Sequence, residues 1–434
     1  MDYENKATDV TLERSSMAKQ KGKPAMLDRY RVLDLTDDRG AFCGKIMAEL
    51  GADVVKVEKP GGDPSRNVGP FYHDIPDPEK SLSWFAFNQN KRGITLNIET
   101  RDGQEIFKKL AQKADFVIES FKPGYMDKLG LGYPALSKIN PRLIMTSVTP
   151  FGQTGPYSTY NSPDLITMSM AGYTFICGDS DRPPVRFSSD QSYYQSSLQA
   201  TVGTLIAHYY RETSGEGQHV DVSMQESMMW TLCYAPHDWY LLKQIIHTRE
   251  GAYWKRLGVT YRLIWPCKDG YVCYRLLMAQ PGAEVMTDLI ASMNKEGLGQ
   301  KMKDISWTTL SFTEVPQEQI NEWEAEIGKY FLLHTKRELH EEAIRQKNVL
   351  QPVNDAKDLY ESPQLASRDF WVQIKHPELR TSLAYPGPYF RSTETVWQKG
   401  KRAPLIGEHN DQIYVNELGF TGEQLAILKR ENVI

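Results

Sequence analysis

The chain has 434 residues, 40% of them hydrophobic and 24% charged, with a formal net charge of −4. That composition supplies a packed core for one large or two modest domains and excludes an intrinsically disordered protein. There is no basic block to attract nucleic acid and no run of about 18 apolar residues to span a membrane, and the nine histidines stand singly, with no C-x-x-C pair, which argues against a metal site.

The first 26 residues mix both charges with polar side chains and read as a disordered tail, lacking the apolar run of a signal peptide. Organisation starts at Arg31. RVLDLT is a strand, DDRGAFCGKIMAELGA a helix with Ile46, Met47 and Leu50 on one face and Gly51 at its end, and DVVKVE a second strand. Such a β-α-β unit predicts parallel strands with a right-handed crossover, although the dinucleotide fingerprint G-x-G-x-x-G is missing. ITLNI is a third strand. RDGQEIFKKLAQKA is a helix with Ile106, Phe107, Leu110 and Ala114 at helical spacing, and DFVIES a fourth strand. FKPGYMDKLGLGY reads as a turn with a short helix, LSKINPR as a helix and LIMTSVT as a fifth strand. The alternation predicts a doubly wound α/β domain.

The stretch 181–226 organises the rest. Pro183-Pro184 cannot sit in a helix, Phe187 to Gln191 is a polar loop, and a helix follows with Leu198, Ala200, Val202, Gly203, Leu205 and Ile206 expected inside. It breaks at Gly215-Glu-Gly217, and HVDVSM is a strand. Asp190 stands just before that helix. A carboxylate there suits chemistry, because helix N–H groups stabilise negative charge; the ordinary use of such an Asp is an N-cap. Beyond Met229 the chain turns aromatic and helical, YRLIWPCKDGYVCYRLLM reads as a hairpin turning at Lys268-Asp269-Gly270, and charge-rich helices follow with Leu332, Leu333 and Leu339 inward. Residues 235–350 are taken as a smaller α+β domain and 351–374 as a connecting segment. Five scattered cysteines, Cys43, Cys177, Cys233, Cys267 and Cys273, read as buried free thiols of a reducing, cytoplasmic compartment.

Several strand ends fit a ligand made of phosphates, a purine and a long arm. Lys59 closes the second strand, Asn90-Lys91-Arg92 precedes the third, Ser120-Phe121-Lys122-Pro123-Gly124 ends the fourth, and Lys128 lies one turn on. Cations there meet phosphates and Phe121 can stack on a base, while the ordinary reading of each lysine is a solvated side chain.

Together RVLDLT, GAFCGKIMAELGADVVKVEKPGGDPSR, NQNKRGITLNI, ADFVIESFKPGYMDKLGLGY, NPRLIMTSVTPFGQTGP, RETSGEGQHVDVSMQES, CKDGYV, ESPQLASRDFW and RAPLIGEH, in that order over residues 29–412, resemble the class III CoA-transferase family. The resemblance implies a Rossmann-like large CoA-binding domain over 27–230 completed by 375–434, and two chains interlocked as a homodimer or as a heteromer of homologous subunits. It implies CoA transfer from an acyl-CoA to a carboxylic acid through an aspartyl-CoA intermediate, without metal or ATP. Carried over residue by residue, it makes Asp190 the nucleophile. It gives the acyl-CoA, a substrate rather than a tightly bound cofactor, to Arg39, Lys59, Arg92, Leu96, Ser120, Phe121 and Lys128.

Two departures stand out. The family's Asp lies about three residues nearer the G-x-G-Q turn, so that without a gap Tyr193 falls on its position, and the first strand leads into the charged DDRG. Both resemble the companion subunit of two-subunit members such as the benzylsuccinate CoA-transferase, where a homologous chain supports the catalytic one. Pro163 replaces the His that a racemase of this family needs, and Asp164 reads as the N-cap of LITMSMAGY. Tyr193, Tyr194, Trp239 and Tyr240 suit either an aromatic-lined pocket or plain core; Arg402 and His409 suit either the nucleotide or a second subunit.

Overall fold

Six short apolar runs form one parallel sheet in the computed structural model, which describes residues 23–245, 248–280, 282–398 and 400–434. The tail expected over 1–26 lies, as far as residue 22, outside the described residues; within its last stretch Ala25 is buried and bridges to Val396.

The strands are β1 (Arg31–Leu35), β2 (Asp53–Glu58), β3 (Arg92–Thr95), β4 (Phe116–Glu119), β5 (Ile144–Thr149) and β6 (His219–Ser223), in the order β3-β2-β1-β4-β5-β6. Alternate side chains feed two cores. Leu33, Val55, Ile94, Val117 and Met145 pack with helices α1 (Arg101–Gln112) and α2 (Tyr133–Ile139). Val32, Val54, Phe116, Ile144 and Val148 pack with helices α3 (Ala41–Glu49) and α4 (Gln191–Ser214). Helices on both faces explain why the strands are apolar throughout rather than alternating.

Helix α4 corrects one expectation. Its inward face is the small, polar stripe Ser192, Ser196, Ser197, Ala200, Thr201, Thr204 and Ala207, while Val202 and Ile206 are 50% and 64% exposed. Short side chains let the helix lie close on β5 and β6, with Thr204 and Thr146 sharing a 2.6 Å hydrogen bond. Gly215 ends the helix at φ +78, a left-handed cap that glycine adopts without strain.

The edge strand β3 is covered by the C-terminal return. The Gly93 amide donates to His409 Nδ1 (3.1 Å), the Thr95 amide to Asn410 Oδ1 (2.9 Å), and the Tyr414 hydroxyl to the Thr95 carbonyl (2.6 Å). Side chains thus take the place of a further strand. Arg402 is engaged by Glu378 and Glu408.

The chain divides into two compact units, one of residues up to 171 with 188–233 and 364–434, the other of 172–187 with 234–363. The second holds the expected hairpin, Ile264–Cys267 with Gly270–Cys273, and another unforeseen one, Tyr253–Arg256 with Val259–Arg262. Its core gathers Trp265, Tyr274, Met286, Ile327 and Phe331. Leu339 is inside, but Leu332 and Leu333 point out, because Ile320, Trp323, Ile327, Tyr330 and Phe331 define the buried face of their helix. Cys43 and Cys267 are buried as expected; Cys233 and Cys273 are exposed.

Arg66 is fully buried, donates to both Glu58 carboxylate oxygens (2.6 and 2.8 Å) and lies 3.7 Å over the Trp84 ring. Removing one side of such a pair strands a buried charge. Arg66→Ala is expected to cost about 3–5 kcal/mol in urea unfolding. Arg66→Lys should recover little of it, since an ammonium cannot reproduce the two-pronged guanidinium contact.

Candidate active site

The winding reverses between β1 and β4, and in open α/β sheets ligands bind outside the carboxyl ends of the strands at that point. Two loops leave the sheet there, residues 36–40 after β1 and 120–124 after β4. They are joined: the Asp37 amide donates to Ser120 Oγ (3.0 Å), and that hydroxyl donates to Asp37 Oδ1 (2.8 Å). Asp37 in turn holds the Arg39 guanidinium, whose Nε lies 2.9 Å from both carboxylate oxygens. Arg39 and Ser120 are therefore brought together through an acid that the sequence reading did not single out.

A buried charge network lies beneath. Asp34 accepts from Lys91 Nζ and the Thr36 hydroxyl, both at 2.7 Å, and the Lys56 ammonium donates to the Thr36 carbonyl. Burial alone would raise the Asp34 pKa, but Lys91 and Lys56 outweigh it and hold the carboxyl below its usual range. Lys91 also donates to the Ala41 carbonyl and Asn88 Oδ1, both at 2.9 Å, so it fixes the start of α3 and is not presented to a phosphate.

Asp190 occupies the N-cap position of α4 but makes no side-chain cap hydrogen bond. The cap comes from 28 residues away. The Ser192 amide and hydroxyl donate to Asp164 Oδ1 at 2.8 and 2.7 Å. Asp164 thus corrects its expected role: Pro163 is the N-cap of its own helix, Asp164–Met170, and the Asp164 carboxylate serves α4 instead. Its amide donates to the Tyr193 hydroxyl at 3.2 Å. Asp190 itself is exposed, and its charge acts on Asp38, Tyr193 and Tyr194. Desolvation, with the like charges of Asp37, Asp63 and Asp190, pushes Asp38 up to about 6 against the pull of Arg39; its open edge to solvent limits the first of these effects. The Tyr194 ring stacks on Phe87 at 5.4 Å and meets Phe42 edge-on at 6.3 Å.

The remaining candidates separate by sheet edge. Lys59 pairs with Glu99 (2.9 Å), Glu99 accepts from the Tyr125 hydroxyl (2.7 Å), and the Tyr125 ring lies 4.8 Å from Phe121. Lys128 ends the short turn Tyr125–Lys128 and is exposed. Arg92 is not with them. It opens β3 at the opposite, amino end of the sheet, where it binds Asp53 (2.6 and 2.8 Å) and Glu417 (2.6 Å). Leu96 is 1% exposed in the core, so its side chain offers a ligand nothing.

Sequence reading missed Glu119. It is 4% exposed at the end of β4, its Oε2 accepts from the Phe121 amide at 2.7 Å, and burial pushes its carboxyl up to about 7. A charge closing the apolar run FVIE was the available signal. Cys43, by contrast, is a fully buried thiol pushed by that burial up to about 12, unsuited to nucleophilic work.

The family model of CoA-transferase family III matches residues 27–410. The chain belongs to CoA-transferase family III. It is 35% identical over 94% of its length to the succinyl-CoA:(R)-benzylsuccinate CoA-transferase subunit BbsE of Thauera aromatica, covering 97% of that protein. It is 31% identical over 89% of its length to the succinyl-CoA:mesaconate CoA-transferase of Haloarcula marismortui, covering 95% of it. It is also 31% identical over 94% of its length to the formyl-CoA:oxalate CoA-transferase of Streptomyces avermitilis, covering 99% of it. Among solved structures it resembles a CAIB/BAIF family protein from Brucella suis, with a TM-score of 0.78, 25% identity, and coverage of 91% of this chain and 99% of that one. The family III chain is a CoA-transferase, and CoA thioesters are its substrates.

The Asp164 cap is testable. Asp164→Ala is expected to cost about 1–2 kcal/mol of stability, and hydrogen exchange at the Ser192 amide should speed up. Asp164→Asn, which keeps an acceptor, should restore most of the protection.

Proposed function

We propose that this chain moves CoA from an acyl-CoA to a free carboxylic acid through a thioester on Asp190. The observation that carries the reading is the start of α4: Asp190 stands at the N-cap, while the capping bonds come from Asp164. The Asp190 carboxylate attacks the donor thioester carbonyl and expels CoA thiolate, giving an aspartyl–acyl anhydride. The thiolate attacks the aspartyl carbonyl and releases the donor acid, leaving aspartyl-CoA. The incoming carboxylate attacks that thioester, and the thiolate released takes the new acyl group and restores Asp190. Each step exchanges one acyl bond for another, so no ATP is consumed.

In this reading Arg39, Lys59, Ser120, Phe121 and Lys128 hold the acyl-CoA along the carboxyl edge; Arg92 and Leu96 are left out. The large Rossmann-like unit binds CoA, and the exposed row Val202, Ile206, Tyr209 and Tyr210 on α4 supports a second chain interlocked with it. We place the protein in the cytoplasm on its cysteine usage; no helix among the described residues is long and apolar enough to cross a membrane. Tyr193 supports a second reading, a companion subunit. It falls on the family's Asp position when no gap is allowed, and its hydroxyl is engaged by the Asp164 amide.

The experiment is to incubate the purified protein with succinyl-CoA, trap with hydroxylamine or borohydride, and sequence the modified peptide by mass spectrometry. An adduct on Asp190, and a loss of activity of at least about 1,000-fold in Asp190→Ala, are expected. Full activity in Asp190→Ala overturns the assignment, and an adduct found only on a copurifying homologous chain establishes the companion reading.

A further inference from the structure

Glu119 takes no part in the steps above, yet it underlies the loop that meets the acyl-CoA. Its Oε2 accepts from the Phe121 amide at 2.7 Å, and its carboxyl also takes a hydrogen bond from Ser147, its register partner on β5. Ser147 Oγ lies 2.9 Å from His219 Nε2. A cavity of about 490 Å³ opens beside this chain of groups, lined by Glu119, Lys122, Asp127, Tyr133, Ser147 and His219 among others. The buried acid is therefore within reach of solvent protons.

We propose that Glu119 is a positioning residue for acyl-CoA. As a carboxylate it holds the Phe121 amide and with it the Ser120–Phe121 turn, and on taking a proton from the cavity it loosens that turn. The inference rests on the reading of Ser120 and Phe121 as acyl-CoA contacts.

The charged groups facing Glu119 come from several elements. Arg39, from the β1 loop, favours its ionised form; Asp221, from β6, opposes it, and desolvation outweighs both. Lys122 and Asp127 stand on the cavity wall. His219 is shifted down by its own desolvation and stays neutral near pH 7. Glu119 thus ionises at about 7. Above that pH the Phe121 amide meets a charged acceptor, below it a neutral one, and charge-assisted hydrogen bonds are about twice as strong.

The test measures CoA affinity by calorimetry, and KM and kcat for succinyl-CoA, from pH 5.5 to 8.5. In the unsubstituted protein, KM should rise about fivefold as pH falls through 7, the difference between a charge-assisted and a neutral hydrogen bond. Glu119→Gln should carry the raised KM at all pH values, with the change on KM and not on kcat. Stability gives the opposite sign. A carboxyl whose pKa is raised by folding binds its proton more tightly in the native state, so the unsubstituted protein loses stability as pH rises from the ordinary carboxylate range to about 7. Glu119→Gln avoids that loss and should gain in melting temperature, relative to the unsubstituted protein, between pH 5 and pH 8. Weaker binding in a more stable protein is not fold damage. If Glu119→Gln keeps the ordinary KM and its pH slope, the proposal is wrong. If Phe121→Ala leaves CoA affinity unchanged, the reading of the turn fails and the proposal falls with it.

Discussion

The hydrogen bonds between Asp37 and Ser120 tie together the two loops that leave the sheet where its winding reverses. Parallel strands β1 and β4 stay paired to their last residues, Leu35 and Glu119, and the chain leaves them toward opposite faces of the sheet; the crevice between the loops is where an α/β sheet accepts a ligand. A gap of this kind needs fixed walls. Asp37 supplies one by gripping Arg39, and the buried Asp34, Lys91 and Lys56 supply the floor. Each buried charge there has partners, which outweigh desolvation at Asp34 and Lys56, whereas at Lys91 burial still wins and lowers the ammonium's pKa.

The same economy governs the start of α4. A helix terminus leaves backbone N–H groups that need acceptors. Here the acceptor is Asp164, delivered from the preceding helix, and the residue at the N-cap itself makes no capping bond. The Asp164 charge offsets the positive end of the helix, and Asp190 stands at the surface beside it. Asp37 and Asp190 add to the desolvation that raises the cost of ionising Asp38, and Arg39 is the cation that moderates it. This crowding of charge belongs to the DDRG loop that set the chain apart from a typical member at the level of sequence.

Most of the large unit was legible because its signals are local. Apolar strand runs, the 106–107–110–114 spacing in α1, and glycine at the helix ends each report on neighbours within a few residues. What was not legible depends on register and on long-range partners. Arg92 sits in the same strand as the ligand edge but at its other end, where Asp53 and Glu417 claim it. Leu96 lies at the correct edge with its side chain turned into the core. Asp164 reads as a local cap until the helix it serves is placed beside it. Val202 and Ile206 look like core by composition, yet the close approach of α4 to the sheet selected its serines and threonines. The placement of Arg39 and Ser120 at one point, by contrast, follows from strand order once the β-α-β units are recognised.

Coenzyme A lying across the β1–β4 crevice, with its reactive end at the first turn of α4, is the claim on which all of this turns. Hydrogen exchange with and without CoA tests it most directly. Slower exchange is expected at the amides of residues 37–41, 120–122, 124 and 191–195, with the amino end of the sheet around Arg31, Asp53 and Arg92 unchanged. Protection at that amino end, with none at the three segments of the carboxyl edge, contradicts it.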